Sequence, residues 1–365
     1  MPSSSIEYNP QVLKDILSNN FLKNDPFVLF DIGASQGIDE HWKIYSPFLN
    51  SYGFDPLVKE MNRLNKIESN PHIKYFDAFI VNSKKNLKKK NYNKKGWAPD
   101  SYRRSSAIRA SEIVKKSYKL NFNNNDPEMI MSDNHYSIDE YLKNHKEIQN
   151  VDFIKIDTDG FDIDVINGSV KTFKDKNVLG LFVECQFQGP LSNHANSFFN
   201  IDRELRNHGF SLFDLETYRY SKSVLPDTFY YDIFAQTKSG QILAGDALYI
   251  RDFMAKDYIM QFGDLSLIKK IKLITIFELY GLFDCAAEII IHLQKNKSIN
   301  DTLARRWLDM LTHKNNTTYS DYNSLISAFN KNPSNFFPHS VLTQNARKIP
   351  IARKFYRAIK NLFKK

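Results

Sequence analysis

A glycine-bearing turn set directly behind a short apolar strand narrows the folds open to this chain more than any other feature. Phe27-Val-Leu-Phe30 follows a break at Asp25-Pro26 and runs into Asp31-Ile-Gly33-Ala-Ser35-Gln-Gly37, with a helix expected to open near Gly37. Glycines at such a junction let the backbone turn tightly and pass close to a ligand before a helix starts. The alternation then repeats. A second strand ends at Phe54, Pro56 suits the first turn of another helix, and His72 to Ile80 reads as a third strand. Strands and helices at this spacing imply a parallel sheet with right-handed crossovers.

Further along, Ser137 is placed to cap a helix through Leu142, with Glu140 at the capping-box position. Val151–Ile156 and Val178–Val183 read as strands, with a helix over Asp162–Phe173 between them, and Phe198–His208 reads as a helix. Phe210–Leu215 and Tyr230–Thr237 are expected to be extended and to form an antiparallel pair at the sheet edge. After Asp252 the pattern is helical only, with a hairpin of Leu265–Tyr280 and Phe283–Gln294 joined at Gly281. The resulting division is an N-terminal helix (1–25), a main α/β domain (26–252) interrupted by a basic insertion (82–134), a helical appendage (253–335) and a basic amphipathic tail (336–365).

The net charge of +9 is unevenly spread. Residues 82–119 carry +11 and residues 347–365 carry +8, which leaves −10 for the rest. An acidic body with two basic segments argues against a general nucleic-acid binder and for local anionic partners. No apolar run approaches the roughly 18 residues that span a bilayer. Met1 to Pro10 lacks the pattern of a signal peptide, and Cys185 and Cys285 make no disulfide framework, so the expected compartment is the cytosol.

Three readings of the glycine turn compete. A dinucleotide site wants G-x-G-x-x-G, but Ser35 occupies the second glycine position. The same residues spell G-x-S-x-G, the serine-hydrolase elbow, with Ser35 as nucleophile; that motif needs upstream strands for which there is little chain, and it leaves Asp31 and Asp55 without a task. A tight turn with no ligand is the third. Asp55 ends the second strand 24 residues beyond Asp31, where an acid can hold the two hydroxyls of a ribose.

A second motif favours a ligand site. Asn150-Val-Asp-Phe-Ile-Lys155-Ile-Asp157-Thr-Asp159-Gly160 is a strand with a lysine in its interior and carboxylates at its end. A buried lysine is costly unless paired, so Lys155 is expected to meet a carboxylate. Strand ends in an open parallel sheet form the ligand crevice, which brings Asp31, Asp55 and Asp157 together. This segment resembles the signature of FkbM-type methyltransferases, roughly D-F-I-K-I-D-V-E-G. Asp31–Gly37 resembles the family's D-x-G-A-N-x-G, and Tyr136–Leu142 resembles the element preceding the signature. Ser105-Ser106 is similar to a serine pair in the family's variable middle. The resemblance covers about residues 25–237. Ser35 stands for the usual Asn, and Thr158-Asp159 for Val-Glu, so Asp159 keeps the charge on a shorter side chain.

The resemblance implies a Rossmann-like class I methyltransferase sheet, mostly parallel with an antiparallel edge strand, followed here by a C-terminal helical region. It also implies S-adenosylmethionine as cofactor and methylation of oxygen, often on sugars in cell-surface glycans or secondary metabolites. Within that frame Asp31, Gly33, Ser35 and Gly37 are assigned to the methionine end, Asp55 to the ribose and Asp77 to the adenine side. Asp157 or Asp159 is the expected general base or acceptor orienter, with Glu184 as the other catalytic choice. A purely structural Asp157–Lys155 pair, a divalent cation among three carboxylates, and His41 or His135 as base remain open; no residue is assigned to a metal.

The lysine-rich insertion reads either as a solvated loop or as a lid over an anionic acceptor such as a nucleotide sugar or lipid-linked glycan. The tail places Ile351, Phe355, Ile359, Leu362 and Phe363 on one helical face flanked by Lys and Arg, the pattern of an interfacial helix or of one packed on protein. The expected activity is carbohydrate O-methylation. The alternatives are another hydroxylated metabolite, or a non-catalytic methyltransferase-like module in glycan assembly.

Overall fold

The computed structural model describes residues 6–82, 131–158, 160–188, 191–220, 236–315 and 318–336. Asp159, Ser105-Ser106, nearly all of the basic insertion and the whole amphipathic tail lie outside these described residues. The chain divides into two compact units, Met1–Ile289 and Ile290–Lys365.

The first unit is built on a sheet of strands β1 (Phe27–Ile32), β2 (Leu49–Asp55), β3 (Ile73–Asp77), β6 (Phe153–Ile156), β7 (Gly180–Gln186), β8 (Phe210–Tyr220), β9 (Gln236–Thr237) and β10 (Gln241–Arg251). A separate pair joins β4 (Phe79–Ile80) to β5 (His135–Tyr136). The order across the main sheet is β3-β2-β1-β6-β7-β10-β8-β9. Strands β3, β2, β1, β6 and β7 run parallel, whereas β10 is antiparallel to both of its neighbours. This is the class I methyltransferase arrangement, and the chain order reverses between β1 and β6. In open α/β sheets that switch point is where ligands enter.

All six residues of β1 are buried, as expected for a strand covered on both faces. One face carries Val28, Phe30, Ile32, Ile154, Ile156, Leu181, Val183, Ala247 and Tyr249 in a continuous apolar core. The helix Ile138–Asn144 has the capping box its sequence predicts: Ser137 accepts from Glu140 N–H, and Glu140 accepts from Ser137 N–H.

Several elements differ from expectation. No α-helix opens at Gly37. Positive φ at Gly33, Gln36 and Gly37 prolongs the turn, and a 3-10 helix Glu40–Tyr45 follows. The stretch 162–173 is two helices, Asp162–Asn167 and Val170–Asp175, separated at Gly168-Ser169. Of the expected antiparallel pair, Arg219 and Tyr220 of β8 pair with Thr237 and Gln236, while 230–235 lie outside the described residues. A further reversed strand, Gln241–Arg251, is slotted between β7 and β8. That strand was hidden in the sequence because Gly245 and Asp246 interrupt its apolar run.

The turn to helical composition at 253 is not where the compact units divide. The helix Leu267–Leu279 buries Lys269, Lys270, Lys272 and Glu278 along with its apolar residues. Lys269 and Lys272 pair with buried Asp152 at 2.7 and 2.8 Å. Glu278 accepts hydrogen bonds from the N–H groups of Val12 and Leu13. The helix Gln11–Ser18 has no side-chain cap of its own, so this carboxylate satisfies donors that a helix start leaves open. The second unit comprises the end of the helix Phe283–Lys295, the helices Asp301–Asn315 and Tyr322–Lys331, and a short turn at Pro333–Phe336. No helix among the described residues is long and apolar enough to cross a membrane.

Candidate active site

Three residues that the sequence singled out meet at the carboxyl ends of the two central strands. Asp31 on β1 lies opposite Lys155 on β6 in the register. The Lys155 ammonium sits 3.3 Å from Asp31 Oδ1, 3.4 Å from Asp157 Oδ2, and donates to the Gly33 carbonyl at 3.3 Å. Asp31 is 1% exposed, whereas the Asp157 side chain is half exposed. Burial pushes Asp31 up to about 6 against the pull of Lys155. Burial also works against the ammonium, but the two carboxylates, Asp31 foremost, more than reverse it and raise its pKa. Both partners are charged at neutral pH. The pair is therefore partly structural, yet Asp31 Oδ1 makes no hydrogen bond among the described residues.

Gly33 explains the shape of the turn. Its φ is +91°, and a Cβ there would lie 1.8 Å from the Asp157 carbonyl oxygen. Only glycine lets the first turn cross this closely over the end of β6. The turn is held to β2 by Gly33 and Ala34 N–H groups, which both donate to the Phe54 carbonyl. Gly37, at φ +94°, faces the Tyr75 hydroxyl, which accepts from Ile38 N–H. Ser35 is exposed at the crest, and its backbone N–H bonds to Asp55. Among the described residues no histidine hydrogen-bonds Ser35, the place where a serine nucleophile needs its base.

Asp55 ends β2 and is 4% exposed. Burial raises it to about 6, opposed by backbone hydrogen bonds from Leu57 and Ser35. Asp77, its neighbour in the register, is already engaged: its carboxylate accepts from Ser132 Oγ at 2.8 Å and from Asn134 Nδ2 at 3.4 Å. It thereby anchors the chain that returns after the insertion. His41 is buried against Trp42 and Tyr280, and burial lowers it to about 4, so it is neutral. His135 stacks on Phe79 and hydrogen-bonds the Asp133 carbonyl. Among the described residues no group of three or more His, Cys, Asp or Glu side chains is arranged to hold a metal ion.

Glu184 lies on β7, where the register sets it beside Asp246 of β10. Asp246 in turn faces Glu216 of β8. Strand alternation puts these three carboxylates on the same face as Phe182, the β7 neighbour of Lys155. Tyr218 donates its hydroxyl hydrogen to Asp246. Neither Asp246, Glu216 nor Tyr218 was picked out from sequence. The signal was there in Asp246, a charge inside an apolar run, by the logic that found Lys155. Asp162 was missed as well: it accepts from Thr158 N–H and Oγ, and from Asn196 Nδ2, which ties the signature loop to the segment before the helix Phe198–Asn207.

This end of the sheet thus presents three buried carboxylates, Asp31, Asp55 and Asp246, with the less buried Asp157 and Glu184 between them and one ion-paired lysine. Such a surface binds hydroxyls and cations. No curated protein matches the sequence. Among solved structures the chain is similar to a magnesium protoporphyrin IX methyltransferase from Synechocystis with bound SAM, at 8% identity and TM-score 0.29, over 67% of this chain and 80% of that one. It is similar to a SAM dependent methyltransferase from Aquifex aeolicus, at 12% identity and TM-score 0.27, over 67% and 100%. It is also similar to a putative S-adenosylmethionine dependent methyltransferase from Listeria monocytogenes, at 7% and 0.31, over 66% and 98%. The fold class rests instead on the strand order. Residues 31–212, from the first acid of the glycine turn to the start of β8, match the methyltransferase FkbM domain, and through that domain the chain belongs to the FkbM methyltransferase family.

Proposed function

We propose that this protein is an S-adenosylmethionine-dependent O-methyltransferase whose acceptor is a sugar hydroxyl of a glycan or glycan precursor. The observation that carries the reading is the pairing of two buried acids at adjacent strand ends, Asp31 and Asp55, around a turn only glycine can make. The residues fit the cofactor. The Asp31 carboxylate, whose Oδ1 meets Lys155 at 3.3 Å without hydrogen-bond geometry, would receive the ammonium of the methionine end with its remaining acceptor capacity. Asp55, at the end of the next strand, would accept from the ribose hydroxyls. Ser35 and Gly37 belong to the turn that passes beneath.

When bound, the cofactor would supply an electrophilic methyl group on its sulfonium. The protein's share is positioning and proton removal. Asp157 and Glu184 border the acceptor side, and carboxylates there orient a polyol by accepting its hydroxyl hydrogens. Lys155, 3.4 Å from its Oδ2, holds Asp157 in place. Asp159 lies two residues beyond Asp157 in the sequence. The tail 347–365 is read as a contact with an anionic membrane surface, which suits a lipid-linked acceptor.

Calorimetric titration with S-adenosylmethionine and S-adenosylhomocysteine tests the reading. The expected result is binding of both, weakened at least about tenfold in Asp55→Ala, the loss of one or two charge-assisted hydrogen bonds. Folded wild-type protein that binds neither ligand would sink it.

A further inference from the structure

The carboxylate at the heart of the reversed strand has no place in the scheme so far. Asp246 is 9% exposed, and among the described residues no lysine or arginine pairs with it. A buried carboxylate without a cation is costly, and several other acids of the sheet have occupations. Asp31 and Asp157 share Lys155. Asp77 holds Ser132. Asp162 holds Thr158 and Asn196. Asp246 has Tyr218, a donor that steadies a carboxylate without neutralising it. Its strand runs opposite to the parallel strands, so this first half of β10 lies at the ligand end of the sheet, between Glu184 and Glu216.

We propose that Asp246, held by Tyr218, is the base that takes the acceptor's proton. The inference rests on the methyltransferase reading above. As the acceptor oxygen forms its bond to the methyl carbon, the carbon–sulfur bond breaks with its pair on sulfur, and the hydroxyl proton passes to the Asp246 carboxylate. Charge and atoms balance: a cationic sulfonium becomes a neutral thioether while one carboxylate becomes neutral.

The surroundings suit a base. Burial pushes Asp246 up to about 6, the Tyr218 hydrogen bond pulls it down, and Asp157 and Glu216 push it up. Glu184 beside it in the register and Tyr280 are the other titratable groups on its side among the described residues. A carboxylate ionised at neutral pH yet more basic than usual is matched to proton abstraction.

The position next to the donor sulfur can be tested without knowing the acceptor. S-adenosylmethionine and S-adenosylhomocysteine share the ammonium, carboxylate and ribose and differ in the charge at sulfur. Protons displaced from Asp31 and Asp55 therefore cancel between them. Titrations at pH 6 in buffers of different ionisation enthalpy count the protons released. The expected result is an excess release of roughly half a proton for the sulfonium over the thioether, since a group near its pKa is half protonated. The excess disappears in Asp246→Asn and persists in Asp157→Asn. In Tyr218→Phe, which keeps the carboxylate but drops its donor, it moves to higher pH. Equal release for both ligands, or an excess unchanged in Asp246→Asn, overturns the assignment. Failure of wild-type protein to bind either ligand overturns the cofactor reading instead.

Discussion

The two ends of the central sheet hold the same kind of group in opposite ways. Before β6, Asp152 is fully buried, yet Lys269 and Lys272 contact its two oxygens and Val28 N–H donates to it. Burial raises its pKa, but the two lysines outweigh that and leave it lowered. At the other end Asp246 is nearly as buried, has a tyrosine in place of lysines, and is raised to about 6. The closed end satisfies its charge within the fold. On the proposed assignment, the open end leaves its charge to be met by a ligand, at the cost of stability, as sites of chemistry commonly do.

The largest expected effect comes from breaking the closed end. Asp152→Ala strands two buried ammonium groups, so urea denaturation should show a loss of about 3–5 kcal/mol. A loss below about 1 kcal/mol would mean that water or Asp25, 2.7 Å from Lys272, replaces the carboxylate.

Asp246→Asn should act in the opposite direction. The folded state holds a proton on Asp246 between its ordinary value of 3.8 and about 6, so this group's contribution falls as pH rises through that window and then stays level. The variant should be more stable than wild type above pH 6, by about 1–3 kcal/mol, and equal to it below pH 4. For Asp152 the sign reverses: its contribution is present above the unfolded value and lost as pH falls through the lowered one. Melting curves across pH 4–8 separate the two. Equal stability at pH 7.5 would remove the contrast.

The smallest effect belongs to the exposed crest. Ser35→Ala should change stability by less than about 0.5 kcal/mol, and a fluorophosphonate should leave wild-type Ser35 unlabelled. Labelling would revive the hydrolase reading.

Much of the site was legible because charge in an apolar context is conspicuous. Lys155 inside a strand announced its partners, and the structure sets it between Asp31 and Asp157. Gly33 was read as conformational need, although the reason, the carbonyl of Asp157 close beneath it, is a contact across 124 residues of chain. Asp246 was overlooked despite its charge in an apolar run, since the strand bearing it was not recognised. The roles of Asp77 and Asp162 as anchors were equally hidden, because their partners Ser132 and Asn196 lie far along the chain.

By itself the sequence determined the alternation of strand and helix, the glycine turn, the capped helix at Ser137 and the family signature, all set by neighbours a few residues apart. Only the tertiary structure decided which buried charges are neutralised. The helix Leu267–Leu279 looked like an appendage by composition, yet its lysines close one end of the sheet and its glutamate caps the first helix. Pairing energies of this kind depend on distance through space and on burial, and residues 117 and 120 apart in the chain carry no local pattern that records them.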